Sequence, residues 1–549
     1  MRPGGDPRNS AGGIEESDQA IVIGRRTGWY GAHGKWREFI LAVAFLSAVY
    51  TLFVAPQCTD ALLRSDAADY LKASRAGFWA NYADTGAMDP VSLVRRRSSD
   101  REFREHPWAK MLRESDLAAF RHFHTAASLY PHAIAAAVNS GNRIHRLIPS
   151  IYAMILGCLV IAFFRQIGGG VWLGIFIAVL LLSRNAVAAT ATAFSPHALF
   201  LVLEFAFLGA LGLAVDRRDK QWLLGAIGIL AAAVASMELS FMLVAAACLA
   251  LLVSWRSAGT LMGILWQIRL KALAVFTGVL FLLWPGGFWN GGYAVSYGTF
   301  GFQILIRARE YFDPVDAAVI ASRASGGNPM EIAIYVTALA AGVYLFVISG
   351  KKSFAGILVL MYCFLTLVQG YNNAFSNPTY VSHWSLAVWF LIGLCLHGIS
   401  ARLTRPGLLR AGKAAMLLGA VALVTVSLRT TNEMVERAAS RDARGHRLVR
   451  LVESRLAPGS VLIVNRHRPS LSTYVPGIRV WHSRGKDTLA AQFPEDEAGA
   501  YYLADIGAMD SETSQELASR WELCPAPPET DLDGILISCA VLRQPRGSL

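Results

Sequence analysis

The sequence predicts a polytopic α-helical membrane protein of about eleven transmembrane helices, ending in a small C-terminal α/β domain. Three observations predict it. Hydrophobic residues make up 54% of the 549-residue chain and charged residues only 16%, against roughly 25% charged in soluble domains. The apolar residues gather in runs that suit a hydrocarbon core about 30 Å thick, which takes about 20 residues of helix to cross. The basic residues behind the net charge of +12 sit in short clusters between those runs. Orientation in a membrane accounts for such clusters, with lipid and not nucleic acid as the partner.

Residues 1–36 are rich in Gly, Pro and charge, and are expected to be a disordered cytoplasmic segment. The apolar run 39–56 is long enough to span, and no small-x-small cleavage site follows it, so it reads as a first span and not a signal peptide. Further spans are expected near 146–164, 171–190, 197–215, 221–236, 239–254, 271–288, 331–349, 353–370, 383–399 and 414–428, all within a transmembrane domain over 37–430. Arg184 and Asn185 interrupt the pair around 171–215.

With the N-terminus inside, the short inner loops carry Arg165, Arg217, Arg218, Lys220, Arg256, Arg269, Lys351, Lys352, Arg402, Arg405, Arg410 and Lys413. The short loops on the other side hold only Arg184. Positive charge stays in the cytoplasm, so the asymmetry predicts an inner-membrane protein with its C-terminal domain outside.

Two long outer loops are expected, over 57–145 and 285–330. Long loops are uncommon unless they are functional. In the first, Leu71, Phe78, Trp79 and Tyr82 recur on one face, as in a helix lying at the membrane interface. The periplasmic domain, 431–549, opens with a charged helical stretch (432–456) and a Pro458-Gly459 turn. Strand-like segments follow at 461–465, 478–483, 500–506 and 535–542, with a polar helix near 511–521. Cys524 and Cys539 are the only cysteines of this domain, and an oxidising compartment predicts a disulfide between them. Cys158, Cys248, Cys363 and Cys395 lie in apolar runs and are expected to be small core residues.

The motifs of soluble enzymes are missing: there is no Walker A loop, no GxGxxG after a strand, no HExxH and no GxSxG. Asp531-Leu532-Asp533, followed by Gly534, reads as a turn. The informative stretch is SDAADY, 65–70, close after the first span. Asp66 and Asp69 are three residues apart and share one helical face. Two readings stand. Ser65 caps a helix whose N-terminal dipole Asp66 complements, or Asp66 is a general base held just above the bilayer, with Asp69 supporting it.

One span followed by a long outer loop that opens on an acidic motif four residues before Tyr70 resembles membrane glycosyltransferases of the GT-C fold. These include protein O-mannosyltransferases and the aminoarabinose transferases that modify lipid A. The latter place Asp-Glu here; Asp66 matches the Asp, and Ala67 stands where they have Glu. RHFHTAASLYPHA (121–133) resembles the family's His/Pro-rich re-entrant segment before the second span, and FSPHALF (194–200) and LWPGGFWNGGY (283–293) are similar to family segments at outer membrane edges. The resemblance implies a GT-C-like fold and an inverting transferase. It implies a polyprenyl-phosphate-linked sugar as donor, a glycan, lipid or protein acceptor in the cell envelope, and a periplasmic C-terminal domain.

Chemistry points to further residues. A sugar on a lipid phosphate has a good leaving group, so the reaction needs a base for the acceptor and cations for the phosphate. Arg307 and Arg309, in the second outer loop, suit the phosphate as bidentate donors, or snorkel at the interface. His122 and His124 suit a head group or a divalent metal, or stand as solvated loop histidines; no other cofactor is called for. His197 and Glu238 lie at outer helix ends, where ionisable groups are functional candidates, and His383 with Tyr380 lies at the last short outer loop. Trp284, Trp289 and Tyr293 read as interfacial belt residues. Two alternatives remain. A polysaccharide polymerase or ligase acting on lipid-diphosphate oligosaccharides would also carry Arg-rich outer loops. A lipid or solute transporter is disfavoured, because the ionisable residues gather at the outer face and no repeat is visible.

Overall fold

A computed structural model of the chain describes residues 32–58, 66–84, 127–138, 141–289, 317–326, 328–349, 353–371, 377–401 and 421–429, and shorter stretches between 292 and 298 and from 418 to 542. Helix α1 (Ala32–Val49) continues through a π turn (Tyr50–Val54) and a 3-10 turn (Ala55–Gln57) that contains Pro56. Then come α2 (Asp66–Arg75), α3 (Tyr130–Ala137), α4 (Asn142–Gln166), α5 (Gly170–Leu182) and α6 (Asn185–Thr192). The central run is α7 (His197–Arg217), α8 (Lys220–Ser236), α9 (Ser240–Val253) and α10 (Trp255–Leu283). After α11 (Gly286–Trp289) and α12 (Ala317–Ala324) follow α13 (Pro329–Gly342), α14 (Phe354–Tyr371) and α15 (Pro378–Ser400).

The chain is a multi-pass membrane protein. Among the described residues six helical stretches are long and apolar enough to cross: Ile40–Gln57, Asn142–Gln166, His197–Arg217, Trp255–Leu283, Pro329–Ile348 and Thr379–Ser400. The pair α5 and α6, bent by 74°, makes a seventh if counted as one broken span. By length alone the described residues thus give six or seven crossings, fewer than the eleven expected from sequence. Three expected spans fall on apolar helices that are short for a crossing: α8, α9 and 354–370 of α14.

Two boundaries are also corrected. The expected span 171–190 is not one rod, because the chain turns at Ser183 and Arg184, where Arg184 is extended at ψ 130° and caps α6. The inner loop expected between 254 and 271 is instead the first half of α10, separated from α9 by Ser254 alone. Arg269 stacks there on Trp266, its guanidinium carbon 4.3 Å from the ring centroid.

Helices α7 and α15 form the centre, most of each buried among the other helices. Apolar residues surround α7 on all sides, as a helix enclosed by other helices requires. Phe163 and Phe164 of α4 meet Phe205 of α7 and Phe390 of α15 in one aromatic knot. Glycines let the backbones approach, which is how helices associate without a hydrophobic drive. A methyl group at Gly174 would sit 2.7 Å from the Ile161 Cα, against backbone that cannot swing away. Gly174→Ala is therefore expected to force α5 off α4 at a cost of about 1–3 kcal/mol. A thermal midpoint of the detergent-purified variant equal to wild type would contradict this close packing.

At one end of the bundle Arg217 donates to the Gln166 carbonyl (2.6 Å), and Asp216 caps α14 by accepting from Phe354 N (2.7 Å) and Ser353 Oγ (2.9 Å). The opposite, loop-rich end gathers α2 and α3, the starts of α4, α7, α13 and α15, and the ends of α8 and α10.

The C-terminal part holds a mixed five-stranded sheet in the order β2-β1-β3-β5-β4. Strand β1 (Val461–Val464) runs parallel to β2 (Arg479–His482) and β3 (Ala500–Asp505), while β5 (Ile535–Leu542) is antiparallel to β3 and to β4 (Trp521–Leu523). Four of these strands fall on the segments marked from sequence. The fifth, β4, begins where the expected polar helix ends. Residues 1–31, Cys524 and the Cys539 side chain, and with them the expected disulfide, lie outside the described residues.

Candidate active site

Helix α2 follows the first span closely and begins at Asp66, with Asp69 three residues on. The backbone of both residues is described, and the helix as a whole is seated by its neighbours. Tyr70, Leu71 and Ala73 are buried with Leu129 and Phe194. The Phe194 ring stacks on His132 (centroids 3.9 Å apart) and on His145 (5.0 Å), and the two histidines share a hydrogen bond between Nδ1 atoms 3.2 Å apart. Burial, reinforced by His145, holds the His132 pKa well below the usual imidazole range, so this seat is uncharged. From the C-terminal part, Tyr474 packs against the same cluster and donates to Asn142 Oδ1 at 2.9 Å. Of these seating residues only Tyr70 and Leu71 stood out in the sequence, for other reasons. Phe194 and His132 lie in segments that resemble the family, but nothing in their spacing predicts the stack.

The interfacial helix expected from Leu71, Phe78, Trp79 and Tyr82 is not one helix. Gly77, at φ 97°, ends α2, and Asn81 closes the turn by donating to the carbonyls of Ala73 (2.9 Å) and Gly77 (2.8 Å). Leu71 faces the α2 seat, whereas Phe78, Trp79 and Tyr82 form a separate aromatic group with Tyr130. The hydroxyls of Tyr82 and Tyr130 donate to the carbonyls of Leu282 and Leu283, at the end of α10. Burial raises the Tyr130 pKa, keeping the hydroxyl protonated as that donor. Trp284 is also corrected: it is fully buried against Tyr293, not an interfacial belt residue. Glycines at 287 and 292 leave room for that contact.

Glu238, at the turn between α8 and α9, is buried and accepts from Ser296 Oγ at 2.9 Å. Beside it Tyr297 reaches Ser240 (2.7 Å) and the Val234 carbonyl (2.9 Å). Glu238 thus ties residues 296 and 297 to the bundle end.

Three of the residues singled out from sequence come together: His197, Tyr380 and His383. His197 Nδ1 lies 2.9 Å from His383 Nε2, and the Tyr380 ring stands edge-on to His197. The structure adds a residue that sequence reasoning missed. His383 Nδ1 lies 2.6 Å from Glu204 Oε2, and Glu204 is wholly buried in α7. A lone carboxylate inside an apolar run was a visible signal, since ionisable residues within spans are functional candidates by default. Glu204 is seven residues along α7 from His197, about 10 Å deeper at 1.5 Å per residue. The expectation that ionisable groups gather only at the outer face is corrected accordingly.

Arg184, expected in a short exposed loop, is instead buried. It pairs with Glu331 and donates to Ser427 Oγ (2.6 Å) and the Leu423 carbonyl (3.3 Å). His122, His124, Arg307 and Arg309 lie outside the described residues. Among the described residues no three His, Cys, Asp or Glu side chains converge to hold a metal ion.

A helical bundle of this order, with an excursion after the first span that packs back over its loop-rich end, has the GT-C-like fold that the acidic motif implied. The likeness is to crystal structures of ArnT from Cupriavidus metallidurans. One was determined bound to undecaprenyl phosphate and matches with a TM-score of 0.56 at 13% identity; the other is the apo state, at 0.55 and 12%. Each comparison covers 93% of this chain and 98% of that one. At such identity the likeness is one of fold. No family model matches the chain, and no curated protein matches it in sequence.

Proposed function

We propose that this protein is a membrane glycosyltransferase that moves a sugar from a polyprenyl-phosphate carrier to a glycan, lipid or protein outside the cytoplasm, with inversion at the anomeric carbon. One observation carries the reading. The fold is like that of a protein solved with undecaprenyl phosphate over nearly the whole of both chains, and the helix bearing Asp66 sits directly after the first span. In this reading Asp66 takes the proton from the acceptor hydroxyl and Asp69 supports it. Arg307 and Arg309 hold the carrier phosphate, and His197, Tyr380, His383 and Glu238 line the donor's approach. His122 and His124 contact a head group or a divalent metal.

The N-terminus is cytoplasmic and the loop-rich end faces outward, as the basic clusters require. With the broken pair, the short apolar helices and the expected span at 414–428 taken as crossings, the count is eleven, and in this reading residues 431–549 form a separate domain outside the inner membrane. There an oxidising medium preserves a Cys524–Cys539 bond.

The test is chemical. Mass spectrometry of envelope glycans and lipid-linked sugars should show, in cells lacking the protein, one glycan or lipid short of a sugar and the matching polyprenyl-phosphate sugar accumulating. Accumulation of a lipid-diphosphate oligosaccharide instead would overturn the donor assignment and indicate a polymerase or ligase.

A further inference from the structure

Helix α2 is ten residues long, and helices shorter than about 12–15 residues are marginal without packing partners. Its seat therefore decides where it lies. Leu129 and Phe194 supply that seat from the loop-rich end of the bundle, and Tyr474 supplies it from the C-terminal part. Tyr474 is itself firmly placed. It lies in a helical turn between β1 and β2, where Leu471 and Val475 are buried and Val475 N donates to the Leu471 carbonyl at 2.9 Å. Val452, Leu462 and Ile478 of the same part are buried too. The ring packs on the α2 seat while the hydroxyl donates to Asn142 Oδ1 at 2.9 Å, the arrangement that a partly buried tyrosine requires. Asn142 opens α4, one turn before His145, whose ring stacks on Phe194. One side chain thus joins the seat of α2 to the start of α4.

The C-terminal part is fixed to the bundle at a second place. Thr431 is wholly buried and donates to Asn185 Oδ1 at 3.2 Å, and Ser427 accepts from Arg184 at 2.6 Å. Asn185 begins α6, and Phe194 lies just past its last residue, Thr192. The two anchors therefore fall at opposite ends of α6, one at the root of the C-terminal part and one at Tyr474. Domains joined by a single tether move relative to one another by default. A second anchor removes most of that freedom, and here it lands on the seat of the helix that bears Asp66.

We propose that the C-terminal part of the chain clamps α2 through Tyr474, which makes Tyr474 a positioning residue of the transfer reaction and the C-terminal part a working piece of the active site. This rests on the reading of Asp66 as the general base and adds to it a residue that acts from the far end of the chain. The clamp matters because catalysis is sensitive to placement. A shift of about 1 Å at a reacting group can cost about a hundredfold in rate, even when its cause lies far from the chemistry. A short helix that loses one wall of its seat is free to make such a shift.

Amide hydrogen exchange of the full-length, detergent-purified protein, read by mass spectrometry on peptides covering 66–75, measures the clamp directly. Tyr474→Ala should speed exchange in α2 at least about tenfold, the seat's ring being lost, while α7, α15 and β1 keep wild-type rates. Tyr474→Phe keeps the ring, and Asn142→Ala removes the same hydrogen bond from the bundle's side with the C-terminal part untouched. Each should speed α2 by only about fivefold, the net weight of one neutral hydrogen bond. These two variants carry the test if Tyr474→Ala does not fold. In cells lacking the protein, at equal membrane abundance, Tyr474→Ala should restore at least about tenfold less of the sugar-bearing product than wild type, and Tyr474→Phe should recover most of the difference. Wild-type exchange of α2 in all three variants would overturn the clamp and leave the Asp66 reading intact. Faster exchange with a wild-type yield of product would overturn the positioning role. A wild-type yield from Asp66→Asn would overturn the base assignment instead, whatever the exchange of α2 shows.

Discussion

Asp66→Asn is expected to lower sugar transfer at least about a hundredfold, the low end for loss of a general base, with normal insertion and expression. The side-chain amide keeps the shape of the carboxylate and can still cap a helix, so a purely structural Asp66 predicts a mild effect. What the amide cannot do is accept the acceptor's proton. Position supports the catalytic role. Asp66 opens α2, and α2 is anchored by Tyr70, Leu71 and Ala73 on the uncharged Phe194, His132 and His145 stack. In the proposed reaction the Asp66 carboxylate takes the acceptor's proton at the depth where a polyprenyl carrier would present the anomeric carbon. Asp69→Asn is the internal comparison and should hurt less if Asp69 only supports its neighbour. Turnover by purified Asp66→Asn within a few-fold of wild type would sink the assignment, and loss confined to Asp69→Asn would move the base one turn along the helix.

How far the sequence reveals this molecule depends on the range of each interaction. Apolar runs are local signals, and they locate most of the membrane helices. SDAADY is local too, and it falls on a real helix at a suggestive place. Length misleads where helices are enclosed by others: α9 is 14 residues and still packs within the bundle, whereas α10 reaches 29 residues by absorbing an expected loop. Pairings between distant residues are not legible at all. His197 and His383 stand 186 residues apart, and nothing in either segment names Glu204 as their third member. The same holds for the seat of α2, where Tyr474 meets Asn142 across 332 residues. Gly77 is an intermediate case. One glycine in the left-handed region splits a periodic pattern that would otherwise read as a single interfacial helix.

The second large effect concerns Arg184, which reads in the sequence as an isolated outer cation and in the fold as a buried junction. Arg184→Ala is expected to destabilise the protein by about 3–5 kcal/mol, because it strands Glu331 as a buried charge without its partner. The guanidinium sits at the break between α5 and α6 and pairs with Glu331 of α13. It binds Ser427 and Leu423 in the helix over 421–429, and lies 5.9 Å from the Trp389 ring centroid of α15. Tyr335, one turn along α13, donates to the other oxygen of Glu331 at 2.9 Å, so the pair's partners come from α13, α15 and the helix over 421–429. Glu331→Ala should be about as damaging, since it leaves the cation instead. Replacing both residues by Met removes both charges while keeping much of the volume, and buried pairs replaced in this way are often neutral or even more stable. The double variant should therefore recover most of the thermal midpoint lost in either single variant, measured on detergent-purified protein. If the pair also holds the last helix in place, the single variants should be cut by protease near residue 430 before the bundle unfolds, and the double variant should be cut there less. Single variants as stable as wild type would mean that water reaches the junction and solvates the orphaned charge. A double variant no better than the singles would mean that the hydrogen bonds to Ser427 and Leu423, and not the ion pair, hold the junction together.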